Sequence, residues 1–130
     1  MTELRSIEKI ELSNGLQVEF LDGSRLVAGD RWLVKIVARI PIEVTEENFR
    51  AVAGDGALYG EFIRERGSPV LFTLEKERNF IDEKEKNSIL ETLIRELKQY
   101  ALPYMGHPAF ARGHLKRIVQ EFEEKRRWWK

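Results

Sequence analysis

The sequence predicts an α+β fold: a mainly antiparallel, curled or half-barrel sheet of about five strands, followed by two C-terminal amphipathic helices. Two observations favour this class. Between residues 1 and 80, several short segments alternate apolar and polar residues, as half-buried strands do. Between residues 82 and 130, the apolar residues recur at helical spacing instead. Strands that come first and helices that come last are typical of α+β proteins and not of alternating βαβ folds.

The chain is predicted to form a single domain, 1–130, with a strand-rich part at 1–80 and a helical hairpin at 82–130. Its 130 residues fit one domain, and 42% of them are hydrophobic, which is enough for a core. Lys+Arg and Asp+Glu are balanced at 22 each, which argues against disorder. The sequence has no cysteine, no signal-peptide pattern and no apolar run long enough to span a membrane. We therefore expect a soluble, cytoplasmic protein.

The first β-hairpin is predicted at Asn14-Gly15, a strong turn signal between two alternating segments. A two-residue loop would place a charged residue opposite Val18. A three-residue loop from Ser13 to Gly15 instead pairs Ile10 with Val18. Because a slip of one residue sends every side chain to the wrong face, we predict the three-residue loop with Gly15 in the left-handed conformation.

The longest predicted strand begins at Trp32 and continues to Val44, with every second residue apolar. A short segment from Ser24 to Ala28 precedes it, between two glycine-containing turns. A short helix at 46–53 follows, because Thr45 is a favourable N-cap and Gly54 a favourable C-terminal stop. Two further strands, at about 58–66 and 70–78, complete the predicted sheet.

The first C-terminal helix is predicted from an apolar arc. The arc consists of Ile89, Leu90, Leu93, Ile94, Leu97, Tyr100, Ala101 and Tyr104. Two capping boxes compete for its start, Asp82 with Glu85 and Ser88 with Glu91. Pro103 is expected to end it, since a proline inside a helix removes a backbone hydrogen bond.

The second C-terminal helix is predicted to begin at Pro108, with His107 as a candidate cap. Its apolar stripe consists of Ala111, Leu115, Ile118, Phe122 and Trp129. The loop between the two helices is short, so we expect them to be antiparallel neighbours.

The two histidines, His107 and His114, do not predict a metal site. Zinc takes three or four ligands, and no third ligand is suggested by the spacing. We expect His107 to cap a helix and His114 to lie beside the apolar stripe. No serine lies in a nucleophile-elbow motif, and no glycine-rich segment has the spacing of a phosphate loop. We therefore predict no catalytic residues, no metal and no cofactor, although sites assembled from distant residues would not be visible in the sequence.

A cluster of polar and charged residues lies between the second and third predicted segments. Its members are Asp22, Ser24, Arg25, Asp30 and Arg31. Asp22-x-Ser24 resembles the start of the Asp/Asn-x-Ser-x-x-Gly motif of PilZ-family receptors, but the next glycine is Gly29 and no Arg-x-x-x-Arg precedes it. Two interpretations remain: a binding loop, or a loop whose arginines form ion pairs with its aspartates.

The C-terminal segment Lys125-Arg126-Arg127-Trp128-Trp129-Lys130 combines four cations with two tryptophans. Cations bind phosphates and tryptophans stack on bases, so this tail is a candidate polyanion site. It could equally lie at a lipid headgroup layer, where Trp, Lys and Arg are favoured. The candidate binding residues are Arg112, Lys116, Arg126, Arg127 and Trp128. The alternative is a solvated helix end with ion pairs such as Glu121 with Lys125, in which Trp129 packs on the domain and Trp128 is more exposed.

Two functional hypotheses follow from these patterns. The first is a non-catalytic interaction or regulatory module that binds a protein partner or self-associates. The second is a weak binder of nucleic acid or another polyanion through the tail. The formal net charge of zero argues against the large electrostatic footprint of a dedicated nucleic-acid binder, but not against a local one at the C-terminus.

Overall fold

A computed structural model of the chain describes residues 3–128. These residues form β1 (Arg5–Glu11), β2 (Gln17–Asp22), β3 (Arg25–Ala28), β4 (Arg31–Ile42), α1 (Glu46–Ala53), α2 (Tyr59–Arg66), β5 (Val70–Asp82), α3 (Lys86–Met105) and α4 (Phe110–Trp128). The α+β class is therefore confirmed, with a five-stranded, mainly antiparallel sheet. None of the helices in this part of the chain is long and apolar enough to cross a membrane.

The contacts divide the chain into two compact units. Of the described residues, the first contains 3–40 and 73–107, and the second contains 41–72 and 108–128. The two helices that we predicted as one hairpin are thus assigned to different units, α3 to the first and α4 to the second. A single domain over 1–130 stays a prediction.

The hairpin between β1 and β2 has the predicted register. Ile10 pairs with Val18, and the Leu12 backbone N–H donates to the Leu16 carbonyl at 2.7 Å. Gly15 has φ 89°, so the three-residue loop with a left-handed glycine is confirmed. Val18 is fully buried, as expected for the apolar face of the hairpin.

Strands β2 and β3 form one ladder along β4. Leu21 pairs with Val37, and Leu26 pairs with Trp32 in the same register. Residues 23 and 24 separate β2 from β3. There the Gly23 N–H donates to the Lys35 carbonyl at 3.0 Å, so the pairing with β4 keeps the same register on both sides of the break. β5 also pairs with β4. The central strand is therefore the long one predicted from its alternation.

Helix α1 is confirmed with its predicted bounds, but the strand predicted at 58–66 is wrong. This segment is helix α2, in which Phe62 is fully buried. Its ring lies 5.4 Å from Phe49 and 5.3 Å from Phe122. The contact with Phe49 favours the helix, because tertiary packing overrides a weak local preference. β5 extends to Asp82, four residues beyond its predicted end at 78.

The two C-terminal helices differ from the predictions at their ends. α3 begins at Lys86, between the two candidate capping boxes, and contains Pro103 instead of ending there. The fully buried Met105 extends the packed face beyond the proline. α4 begins at Phe110, so neither Pro108 nor His107 has its predicted role. Near the end of α3, Tyr100 and Tyr104 are exposed, and they do not continue its buried face.

Candidate functional site

An apolar cleft of about 250 Å³ lies in the second unit, between α1 and α4. Ile42 and Leu115 are buried and line its inner part. Small side chains form the walls, Ala51 on α1 and Ala111 on α4. Because alanine fills little space on either helix, an open cleft remains where larger residues would close it.

The helix that forms one wall is fixed by a capping box. The Asn48 backbone N–H donates to the Thr45 hydroxyl at 3.1 Å, and the Thr45 N–H donates to Asn48 Oδ1 at 2.8 Å. Asn48 Nδ2 also donates to the Glu43 carbonyl at 2.8 Å. The Asn48 side chain lines the cleft, but its Oδ1 and its Nδ2 each already have a backbone partner. A cap of this kind contributes about 1 kcal/mol to stability and keeps the wall in place.

Arg112 is the one charged side chain among the residues that line the cleft. It is exposed and forms no ion pair with any carboxylate in residues 3–128. A guanidinium presents five N–H donors that match a carboxylate in a bidentate geometry. The cleft therefore combines an apolar pocket with one unneutralised cation at its rim.

Comparison with known proteins gave no match to a family, to a curated protein or to a solved structure.

The predicted loop cluster is not a single group. Asp22 pairs with Arg5 at 3.2 Å, and its Oδ1 accepts the Ser24 N–H at 2.8 Å. Arg31 lies 3.7 Å from Asp30 and 3.3 Å from Asp82. Of the ion pairs expected within the loop, only the one between Arg31 and Asp30 is seen among the described residues. Arg25 is exposed on β3.

The tail residues are divided between different faces of α4. Arg126 Nε donates to Glu61 of α2 at 2.8 Å, and Lys125 lies 3.6 Å from Glu65. The predicted pair of Lys125 with Glu121 is replaced, because Glu121 lies 3.9 Å from Arg117.

Trp128 is 86% exposed, as predicted, but it lies away from most of the cations predicted to bind with it. On a helix with about 100° per residue, Trp128 lies about 160° from Arg112, whereas Lys116 and Arg127 lie within about 60° of Arg112. The side chain predicted to stack on bases is thus separated from most of the predicted phosphate contacts. Trp129 and Lys130 lie outside the described residues.

The two histidines occupy different environments. The His107 backbone N–H donates to the Tyr104 carbonyl at 3.2 Å, and the His107 carbonyl accepts Asn14 Nδ2 at 3.0 Å. His114 is half-buried against Phe110 and Phe72, with ring centroids 6.3 and 4.9 Å away. Burial lowers the pKa of His114, and the positive charge of the nearby Arg117 lowers it further. The negative charge of Glu121 raises this pKa, but its effect is the smallest of the three.

Within residues 3–128, no group of three or more histidine, aspartate or glutamate side chains is arranged to hold a metal ion.

Sequence reasoning identified Arg112 but assigned it to the tail, and it missed the cleft. The apolar positions Ala111 and Leu115 were predicted as core, and Leu115 is buried. The available signal was the small residue on each helix, Ala51 and Ala111. That signal is weak, because alanine is common in helices for its propensity alone.

Proposed function

We propose that this chain is a non-catalytic interaction module that binds a segment of a partner protein in the cleft between α1 and α4. The observation that supports it is the apolar cleft with the guanidinium of Arg112 at its rim, which forms no ion pair within residues 3–128. The occupant that fits is a bulky apolar side chain followed closely by a carboxylate. The cytoplasmic location that the sequence predicts remains part of this proposal.

The size of the cleft favours a side-chain anchor over a free small molecule. Its volume of about 250 Å³ is below the roughly 300–1,000 Å³ of sites for drug-sized ligands. Protein interfaces commonly obtain most of their binding energy from a few anchors in well-packed pockets. One apolar side chain buried between Ala51 and Ala111 would be such an anchor.

The charge at the rim supports an acidic occupant. Arg112 has no ionic partner among the described residues, and Asn48, the polar lining residue on α1, is already hydrogen-bonded. A carboxylate from the partner would form a charge-assisted hydrogen bond with the guanidinium, which is stronger than a neutral one. An approaching cation would be repelled, so Arg112 supplies specificity as well as affinity.

The direct test is selection of a phage-displayed library of random peptides on the immobilised protein. We expect enrichment of peptides with a large aliphatic or aromatic residue next to Asp or Glu. Ala111→Leu should fill the cleft and abolish this enrichment while the circular dichroism spectrum stays unchanged. If Ala111→Leu does not fold, Ala51→Leu makes the same test from the opposite wall. No enrichment, or equal enrichment on the cleft-filled variant, would overturn the proposal.

The charge preference has its own matched pair of variants. Arg112→Glu should remove the preference for acidic peptides, whereas Lys116→Glu, one turn further along α4 and outside the cleft, should keep it. Equal effects of the two variants would show that only the general charge of α4 matters.

Self-association is a separate outcome of the same variants. A dimer in analytical ultracentrifugation that Ala111→Leu dissociates would mean that the occupant is a second copy of the chain, and would overturn the partner-segment proposal. The polyanion hypothesis for the tail has less structural support, because Arg126 is paired with Glu61 and Trp128 is on another face.

A further inference from the structure

A small cavity of about 50 Å³ lies in the first unit, away from the cleft and independent of the proposed function. Side chains from the sheet and from α3 line it. The polar and aromatic side chains in this lining include Arg5, Asp22, Trp32, Lys86 and Asn87.

Three groups at this cavity have no hydrogen-bond or ion-pair partner among residues 3–128. Trp32 Nε1 is fully buried and donates to no acceptor. The Lys86 ammonium lies 3.7 Å from the centre of the Trp32 ring and forms no ion pair. The side-chain amide of Asn87 also makes no hydrogen bond. A buried N–H without an acceptor is energetically costly, so an acceptor is expected at this position.

The acidic residue in the wall does not supply that acceptor. Asp22 Oδ2 accepts the Arg5 guanidinium at 3.2 Å, and Asp22 Oδ1 accepts the Ser24 N–H at 2.8 Å. Arg5 neutralises the charge of Asp22, whereas the charge of Lys86 has no counterion among the described residues. Trp32 Nε1 therefore needs a hydrogen-bond acceptor, and the half-buried Lys86 and the exposed Asn87 supply a positive charge and a further donor at the same cavity.

We propose that this cavity binds a small tetrahedral oxyanion of the phosphate type. Trp32 Nε1 and the Asn87 amide donate hydrogen bonds to its oxygens, and Lys86 neutralises its charge. The volume is sufficient for one such group, since a cavity needs only about 10–15 Å³ for each water-sized occupant. A whole nucleotide is too large, so a larger ligand would place only its phosphoryl group here. A water molecule would satisfy the Trp32 N–H but would leave Lys86 without a counterion.

The indole N–H resonance of Trp32 reports this hydrogen bond directly. The measurement uses the full chain with Trp128→Phe and Trp129→Phe, so that a single indole signal remains in the ¹H–¹⁵N spectrum. Titration with inorganic phosphate should move this signal downfield in a saturable way. Sodium chloride at matched ionic strength should not move it. O-phosphoserine, titrated in parallel, distinguishes a free oxyanion from a phosphoryl group on a larger molecule.

Two lysines that lie two residues apart, one at the cavity and one outside it, provide a matched pair of variants. Lys86→Met should weaken phosphate binding about tenfold or more, which corresponds to roughly 1.4 kcal/mol. Lys84→Met, which removes the same charge outside the cavity, should leave the titration unchanged. An indole signal that phosphate does not move, or moves only as chloride does, would mean that water occupies the cavity and would overturn the proposal. Equal losses of phosphate affinity in Lys86→Met and Lys84→Met would show only a general effect of charge. This result would also overturn the proposal.

Discussion

His114 shows how one side chain combines packing with titration. Its ring lies parallel to Phe110, with an interplanar angle of 4°, and edge-on to Phe72, with 87°. Its Nε2 is buried with no hydrogen-bond partner in the described chain. A neutral imidazole tolerates this environment, but an imidazolium would lose its hydration there. The residue thus behaves as an aromatic core residue until it binds a second proton.

The stability of the protein should therefore fall in mild acid because of His114. Its pKa is lowered in the folded state below the ordinary value of 6.5, so the unfolded chain binds more protons. The contribution is fully present above the unfolded pKa and is lost as the pH falls below it. We expect the free energy of unfolding, measured in urea between about pH 5 and 7, to fall less steeply in His114→Phe than in the parent. Parallel curves would contradict this assignment.

At the level of elements, the end of α4 is held by α2 and not by its own ion pairs. Arg126 Nε lies 2.8 Å from Glu61 Oε2, and the two side chains are 31% and 41% exposed. Arg127, one residue further, is exposed. The sequence placed both arginines in one binding group, whereas packing gives them different roles.

Arg126→Ala should therefore destabilise the protein more than Arg127→Ala. We expect a loss of up to about 1 kcal/mol for Arg126, because the pair is partly exposed and screened by solvent, and a change close to zero for Arg127. Urea unfolding of Arg126→Ala, Glu61→Ala and the double variant measures the coupling directly. If the two single losses simply add, the ion pair contributes nothing.

Gly113 and Gly15 both have room for an added side-chain carbon, but their backbone conformations differ. They therefore give a matched test of local structure. A Cβ at Gly113 or at Gly15 would meet nothing within 4 Å, but Gly15 has φ 89° and Gly113 lies inside α4. Gly113→Ala should stabilise the protein by about 0.5–1 kcal/mol through helix propensity. Gly15→Ala should destabilise it by about 1–2 kcal/mol, because only glycine adopts this conformation without strain. Thermal unfolding of both variants checks the pair, and a gain at Gly15 would contradict the loop conformation.

At the scale of the whole molecule, two strands are common to both units. β4 extends from Arg31 to Ile42 across the boundary after residue 40, and β5 from Val70 to Asp82 across the boundary after residue 72. Unfolding of either unit would disorder part of each shared strand. A single domain, as predicted from the length of the chain, would unfold as a whole.

We therefore expect one cooperative unfolding transition. Trp32 fluorescence, in a chain with Trp128→Phe and Trp129→Phe, reports the first unit, whereas far-ultraviolet circular dichroism reports the helices of both. Coincident urea transitions are expected if the chain unfolds as one domain. Separate midpoints would mean two independently unfolding units and would contradict the single-domain prediction.

The sequence by itself determined the elements whose signals are local. The alternation around Ile36, the glycine of the first hairpin and the Thr45 cap each act over a few residues, and the structure has all three as predicted. The tertiary structure decided the rest. Phe62 is in a helix because it packs on Phe49 and Phe122. The cleft beside Arg112 and the cavity at Trp32 depend on side chains far apart in the chain. Such contacts are decided by packing between elements, for which a local pattern carries no signal.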